Sequence, residues 1–274
     1  MTAQGGVGRS PSPARLDNDA TTRLHIGLAL LLVASLLVFL PALLLDERLL
    51  DGSPVWLKPQ KFHLSLALHF FTLAVLAQLL PRDVRTGPIL TLFSYLAAAA
   101  LLLEYGYIAV QAGRGRRSHF NADTQFEGLM YAAMGVGAVL LVVVALVLAI
   151  QLWRRGDRSR PGLWLGSILG LSLGFASTLL FASYMSSVGR NVGAPLEGGG
   201  AVLPLLGWSR EYGDLRPSHF VALHLMQTAP LAGWLADRRG WNVNWLVYGV
   251  AGAQLALASF LFLQARAGQP FWPV

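Results

Sequence analysis

The sequence contains no cysteine and few charged residues. Without cysteine, disulfide bonds, thiolate metal ligands, iron–sulfur clusters and cysteine nucleophiles are all excluded. Only 13% of the 274 residues are charged and 54% are hydrophobic, whereas about 25% of the residues in a soluble domain are charged. The composition therefore predicts an integral membrane protein, with little of the chain left over for a separate soluble domain.

Long apolar stretches account for most of the chain, and each is long enough to cross ~30 Å of hydrocarbon at ~1.5 Å per residue. They predict one all-α bundle of about seven transmembrane helices within residues 25–266. We expect a disordered cytoplasmic tail at 1–24, an extracytoplasmic loop at 190–216 and a short C-terminal tail at 267–274. The seven stretches are Ile26–Leu45, Phe62–Leu80, Pro88–Ala112, Gly128–Trp153, Leu163–Gly189, Pro217–Ala236 and Trp241–Ala265.

The formal net charge is +7, which in a soluble protein would suggest nucleic acid as a partner. Here the arginines flank the apolar stretches, as membrane anchors do, so membrane lipid is the expected partner and nucleic acid is not. Lysine and arginine divide almost equally between the two sides. The short arginine cluster at 154–160 favours a cytoplasmic N-terminus in a bacterial inner membrane.

Three motifs lie in segments that this topology places on the extracytoplasmic side. They are Lys-Pro-Gln-Lys-Phe at 58–62, Gln-Ala-Gly-Arg-Gly-Arg-Arg-Ser-His-Phe-Asn at 111–121, and Gly-Asp-Leu-Arg-Pro-Ser-His-Phe-Val-Ala-Leu-His-Leu-Met-Gln at 213–227. With these motifs the chain resembles an uncharacterised bacterial family of polytopic membrane proteins. The resemblance covers the second to the sixth stretch. It implies no activity, cofactor or catalytic residue.

Polar side chains recur at helical spacing on three of the predicted helices. An ionisable group inside a bilayer costs free energy, so such groups are expected to face the bundle interior and to mark a functional site. One stripe lies on the second stretch, one on the third and one on the sixth. Their members are Lys58, Lys61, Ser65, His69 and Thr72; Glu104, Tyr107 and Gln111; and His224, Gln227 and Thr228.

His69, Glu104 and His224 are predicted to lie at one depth, ~10–12 Å inside the extracytoplasmic boundary. If the second, third and sixth helices meet, these side chains share a cavity. Two histidines and a carboxylate suit zinc with an open coordination position or non-haem iron. Alternatively, His69 and His224 are axial ligands of a b-type haem with Glu104 as proton donor. Either cofactor would make the protein redox-linked or catalytic.

The other polar residues have predicted roles around this cavity. Glu104 and Tyr107 are the candidate catalytic residues. The candidate substrate-binding residues would orient an acidic group, support the cavity by hydrogen bonds or close it; the substrate would be a quinone or a small anion. They are Lys58, Lys61, Arg216, Gln111, Gln227, His119, Asn121 and His219.

Two other functions are compatible with the same residues. In the first, the basic residues form a vestibule for a small anion, and the histidines with Glu104 relay protons for a transporter or proton-coupled carrier. In the second, the polar residues form a structural hydrogen-bond network without chemistry. The long loop before the sixth stretch is predicted to be an ordered cap, because it contains Trp, Pro and Leu. Gly166, Gly170 and Gly174 predict close helix packing.

Overall fold

The computed structural model describes residues 16–194 and 200–273, and helices dominate these residues. Two short antiparallel strand pairs are the only regular sheets among them. The helices are α1 (Ala20–Val38), α2 (Leu40–Leu45), α3 (Leu57–Ala77), α4 (Arg82–Arg85), α5 (Pro88–Gly113), α6 (Gln125–Arg155), α7 (Pro161–Val188), α8 (Arg216–Leu223), α9 (Leu225–Arg239) and α10 (Val243–Arg266), and the strands are β1 (Leu49–Leu50), β2 (Ser53–Pro54), β3 (Asn191–Val192) and β4 (Gly213–Asp214).

Six of the helical segments are long and apolar enough to cross a membrane: α1 with α2, then α3, α5, α6, α7 and α10. The all-α prediction is confirmed. The sixth predicted stretch is the exception, because it forms two helices, α8 and α9, that meet at His224. Pro230 lies inside α9 and removes one main-chain hydrogen bond from that helix.

The end of the bundle at which α1 begins, called the N-terminal end below, is held together by buried ion pairs. The Arg85 guanidinium is 2% exposed; its Nε lies 2.6 Å from Asp19 Oδ2, and the same group also contacts Asp17. Asp237 on α9 accepts hydrogen bonds from the main-chain N–H groups of Gly162 and Leu163, each at 2.8 Å. These contacts tie the start of α7 to the end of α9.

The segments that carry the three sequence motifs meet at the opposite end of the bundle, called the C-terminal end below. The strand β3 pairs with β4, and Val202 bridges Ser209. Trp208 is 8% exposed and packs edge-on against Phe220 and Phe271. The described parts of the 190–216 loop are thus ordered against the bundle, as predicted.

Helices α1 and α3 begin earlier than the hydropathy indicated, because capping and polar residues extend them. The side chain of Asp19 accepts a hydrogen bond from the main-chain N–H of Thr22, so α1 begins at Ala20, inside the segment 1–24 that was predicted to be a disordered tail. Residues 1–15 of that predicted tail lie outside the described residues. Helix α3 begins at Leu57 and includes Lys58, five positions before the predicted start at Phe62.

The largest core cluster joins α1, α3, α5 and α6, with contributions from α7 and α9. Helices α7 and α9 pack through glycine. A Cβ atom on Gly162 would overlap the Gly233 carbonyl oxygen, and one on Gly166 would overlap the Ala229 carbonyl oxygen. The predicted small-residue packing of α7 is confirmed, since the two backbones touch directly.

Candidate functional site

The predicted metal triad of His69, Glu104 and His224 is not assembled. Among residues 16–194 and 200–273, no group of three or more His, Asp or Glu side chains could hold a metal ion. Each of the three side chains has different neighbours.

The depth of His69 explains part of this result. Phe62 packs against His119, and His119 contacts Glu104. His69 lies ~10 Å further along α3 than Phe62, and so it is not at the level of Glu104. The side chain is 7% exposed and packs edge-on against Phe70, with ring centroids 5.5 Å apart. A second histidine, His25 on α1, is fully buried and lies 5.9 Å from the same Phe70 ring. His69 therefore belongs to the core near α1.

His224 interacts with its own helix. Its Nδ1 donates a 2.7 Å hydrogen bond to the Phe220 carbonyl oxygen, and the two rings lie 4.1 Å apart. Gln227, one turn on, donates to the Thr72 hydroxyl at 3.2 Å. The sixth predicted span thus contacts the second, as expected, but through an amide and a hydroxyl rather than two imidazoles.

Glu104 lies instead beside His119, from the loop that joins α5 and α6. The Glu104 carboxylate is 3% exposed, and its Oε1 is 3.6 Å from His119 Nε2. On the other side of His119, its Nδ1 is 3.3 Å from Ser118 Oγ. Lys58 Nζ donates to Ser118 Oγ at 2.7 Å. These four residues form a continuous chain of polar contacts, which we call the Lys58 cluster.

The Lys58 cluster is shielded from solvent, and this affects His119. Ser118 is 4% exposed, and Phe62 packs against the His119 ring at 6.0 Å. Burial lowers the pKa of His119 below its usual 6.5, the charge of Lys58 lowers it further, and Glu104 opposes both effects. The imidazole is therefore held in its neutral form at neutral pH, where it can accept a proton.

Further basic residues surround Lys58 at the C-terminal end. Lys61 Nζ donates to the Leu206 carbonyl oxygen at 2.6 Å. Arg216 pairs with Asp214 at 2.5 Å and donates to the Gly207 carbonyl oxygen at 2.6 Å. Both cations thus contact the 190–216 loop, which covers this part of the bundle.

Asp51 connects three loops at this end. Arg117, from the loop between α5 and α6, approaches Asp51 Oδ1 to 2.5 Å, and Arg190, which follows α7, approaches Oδ2 to 2.7 Å. Burial raises the pKa of the Asp51 carboxyl, but the two arginines outweigh this, and the pKa falls below its usual 3.8. One carboxylate therefore bridges two guanidinium groups.

The stripe on α5 continues into a second network. Gln111 donates to the Tyr107 hydroxyl at 3.1 Å and to Glu127 Oε1 at 3.2 Å. Asn121 donates to the Arg117 carbonyl oxygen at 2.8 Å, which holds the loop in shape. All of these polar side chains except Arg117 are buried. The predicted stripe faces the interior, as expected.

His219 is not part of the Lys58 cluster. Its Nδ1 is buried, and no hydrogen-bond partner is found for that atom.

A shallow open groove lies between α7 and α10 at the N-terminal end, and its lining includes Trp164 and Tyr248. Tyr248 is the one ionisable residue among the described residues that line it. The Lys58 cluster is therefore the stronger candidate for a functional site.

Sequence reasoning missed several residues that the structure brings to the site. Ser118 is part of the second motif, but it lies in a loop, and helical periodicity cannot indicate which residues a loop residue contacts. Glu127 could have been found, because Thr124 and Glu127 match the capping-box spacing, and Glu127 donates its N–H to Thr124 Oγ1 at 3.2 Å. Nothing in the sequence indicated that Asp51 and Arg190 form an ion pair, because they are far apart in sequence and meet only where two loops pack together.

No family model, no curated protein and no solved structure matches the chain. The resemblance to a bacterial family of polytopic membrane proteins therefore stays a prediction.

Proposed function

We propose that the protein is a multi-pass membrane protein that binds a small anion at its C-terminal end and couples binding to proton transfer. In this proposal α8 and α9 together form a seventh span, and the C-terminal end faces away from the cytoplasm. The binding residues are Lys58 and Lys61, with Arg216 at the rim. The proton-transfer pair is His119 and Glu104.

The observation that carries the proposal is the surplus of positive charge around Lys58. Lys58, Lys61, Arg190 and Arg216 lie close enough to interact electrostatically, and Glu104 and Asp214 offset only part of their charge. Among the described residues, neither lysine has a carboxylate within 4.0 Å. Half-buried cations without a paired carboxylate attract an anion, and low-dielectric surroundings strengthen that attraction.

The proton-transfer part rests on the contact between His119 and Glu104. The buried carboxylate and the neutral imidazole are 3.6 Å apart, slightly beyond hydrogen-bond distance, and a small movement of either side chain would let them share one proton. An anion bound beside Lys58 would add negative charge at His119 and so favour its protonated form. Anion binding would then take up a proton.

Thermal unfolding of the detergent-purified protein tests anion binding. We expect inorganic phosphate or a small carboxylate to stabilise the protein, by about 2.7 kcal/mol at 100 times the dissociation constant. Lys61→Gln should weaken this stabilisation by tenfold or more in anion concentration. Arg154→Gln, at the N-terminal end, is the matched control and should change nothing. Equal responses of the two variants, or no stabilisation by any anion, would contradict the proposal.

Proton uptake is measured separately, with a pH indicator in weakly buffered solution. The wild-type protein should take up protons when the anion is added, and Glu104→Gln should reduce the uptake while the protein still folds and binds. A loss of folded protein as the main effect of Glu104→Gln would instead support the structural network.

Haem or transition-metal binding at His69 and His224 is a separate proposal. It is tested by the absorption spectrum and the metal content of the purified protein. A Soret band or stoichiometric metal that is lost in His69→Ala would support it.

A further inference from the structure

We propose that Ser118 is a nucleophile and Lys58 its general base, so that the Lys58 cluster cleaves an ester bond in an anionic substrate. The inference rests on the anion site proposed above, which would hold the charged part of that substrate. It adds a chemical step that anion binding alone does not require.

The distance between the two side chains is the first support. Lys58 Nζ lies 2.7 Å from Ser118 Oγ, within the 2.6–3.2 Å range expected for a nucleophile and its base. Lysine serves as the base for serine nucleophiles on several unrelated folds. No carboxylate of a described residue pairs directly with Lys58, so its amine can accept the Ser118 proton once it has released its own.

The second support is the main chain around Ser118. The N–H groups of Ser118, His119 and Phe120 find no acceptor among residues 16–194 and 200–273. Main-chain N–H groups beside a nucleophile are the kind of donor that stabilises the oxyanion of an acyl-transfer intermediate, and these three are not used by the described residues. Phe120 has φ of 53°, a left-handed conformation that is rare for a bulky residue. Backbone strain of this kind collects at active sites.

Protection from water is the third support. Ser118 is 4% exposed, and the imidazole of His119 lies 3.3 Å from its hydroxyl. Glu104 contacts the far nitrogen of that imidazole and so fixes the ring beside Ser118. His119 is in this scheme a positioning residue, and Lys58 moves the proton.

The reaction balances without any oxidant or metal. For this step Lys58 has released its own proton to solvent, and Lys61 and Arg216 hold the charged part of the substrate. Ser118 Oγ forms a bond to the ester carbonyl carbon while its proton passes to the neutral Lys58 amine. The bond from that carbon to the alcohol oxygen then breaks, and Lys58 returns the proton to the departing alcohol. Water cleaves the resulting Ser118 ester by the same proton transfers, releasing a carboxylic acid.

The test uses the full-length protein in detergent with a short-chain fluorophosphonate, because a compact probe is needed to reach a buried serine. We expect one phosphonyl group per chain, located on Ser118 by mass spectrometry, and an initial burst of nitrophenolate with 4-nitrophenyl acetate. Ser118→Ala should abolish both signals. Ser187→Ala, at an exposed serine on the same end, is the control and should leave both unchanged.

Lys58→Arg tests the base. Arginine does not give up its proton in proteins, so labelling should fall at least tenfold. Anion stabilisation and labelling are both measured on the wild-type protein, so that a failed anion site and a failed nucleophile give different results. Thermal unfolding checks that each variant is folded. The inference is overturned if folded wild-type protein shows neither labelling nor a burst, or if Lys58→Arg labels as fast as wild type.

Discussion

Replacing Asp51 with asparagine tests how the loops over the candidate site are held. The asparagine keeps the size of the side chain and tolerates the left-handed backbone at this position, where φ is 52°. It removes the charge that bridges Arg117 and Arg190. The two guanidinium groups then repel each other, and the loops lose their shared anchor.

The expected magnitude follows from the exposure of the three groups. The Asp51 side chain is 13% exposed, and those of Arg117 and Arg190 are 43% and 31% exposed. Hydrogen bonds to a charged group contribute about 1.5–3 kcal/mol when buried, whereas exposed ion pairs contribute about 0.2–1 kcal/mol. Asp51→Asn should therefore cost about 1–2 kcal/mol. Asp83→Asn, whose pair with Arg155 is exposed at both ends, should cost almost nothing.

The assay is thermal unfolding in detergent, together with hydrogen exchange of the 114–124 and 190–194 segments. Exchange in both segments should rise in Asp51→Asn and stay unchanged in Asp83→Asn. Because the folded-state pKa of Asp51 is lowered, its contribution is complete above the unfolded value and is lost as pH falls below about 3.8. Equal stability and exchange in the two variants would refute the reasoning.

Two further predictions concern helix packing and pH. Gly233→Ala should lower the unfolding temperature, because the added Cβ would lie well inside 3.0 Å of the Gly162 backbone. Overpacking of this kind costs about 1–3 kcal/mol. Gly252 has open space around it, so Gly252→Ala is the control and should be neutral or stabilising. For His119, whose pKa is lowered in the folded state, the unfolded chain binds the proton first, so stability should fall as pH drops below about 6.5. His119→Gln should show a weaker decline in an acid-side unfolding series, and an unchanged decline would contradict the assignment.

Much of the fold could be predicted because membrane-type hydropathy is a strong, local signal. The all-α class, the apolar stretches and the inward-facing stripe on α5 follow from composition and helical period alone. The ends of helices were less accurate, because Asp19 and the residues before Phe62 extend α1 and α3 beyond their apolar parts. The level of Glu104 was also predicted wrongly, because Glu104 lies near Phe62 through His119 and His69 is ~10 Å further along α3.

The candidate site itself could be predicted only in part. Lys58, Glu104 and His119 were all selected from the sequence, but they were assigned to different roles, and Glu104 was grouped with two other histidines. Contacts between a helix and a loop depend on how the loop folds, which no periodicity reports. Ser118 was therefore invisible as a chemical group until its position beside Lys58 was known.

The direct backbone contact between α7 and α9 has a mechanical consequence. With Gly162 and Gly166 against the α9 backbone and Asp237 holding the first turn of α7, sliding of one helix along the other would break direct backbone contacts. We expect α7 and α9 to move together as one rigid body. Any opening that admits a solute must then come from α8 and the loops above it, which makes the His224 junction the natural hinge.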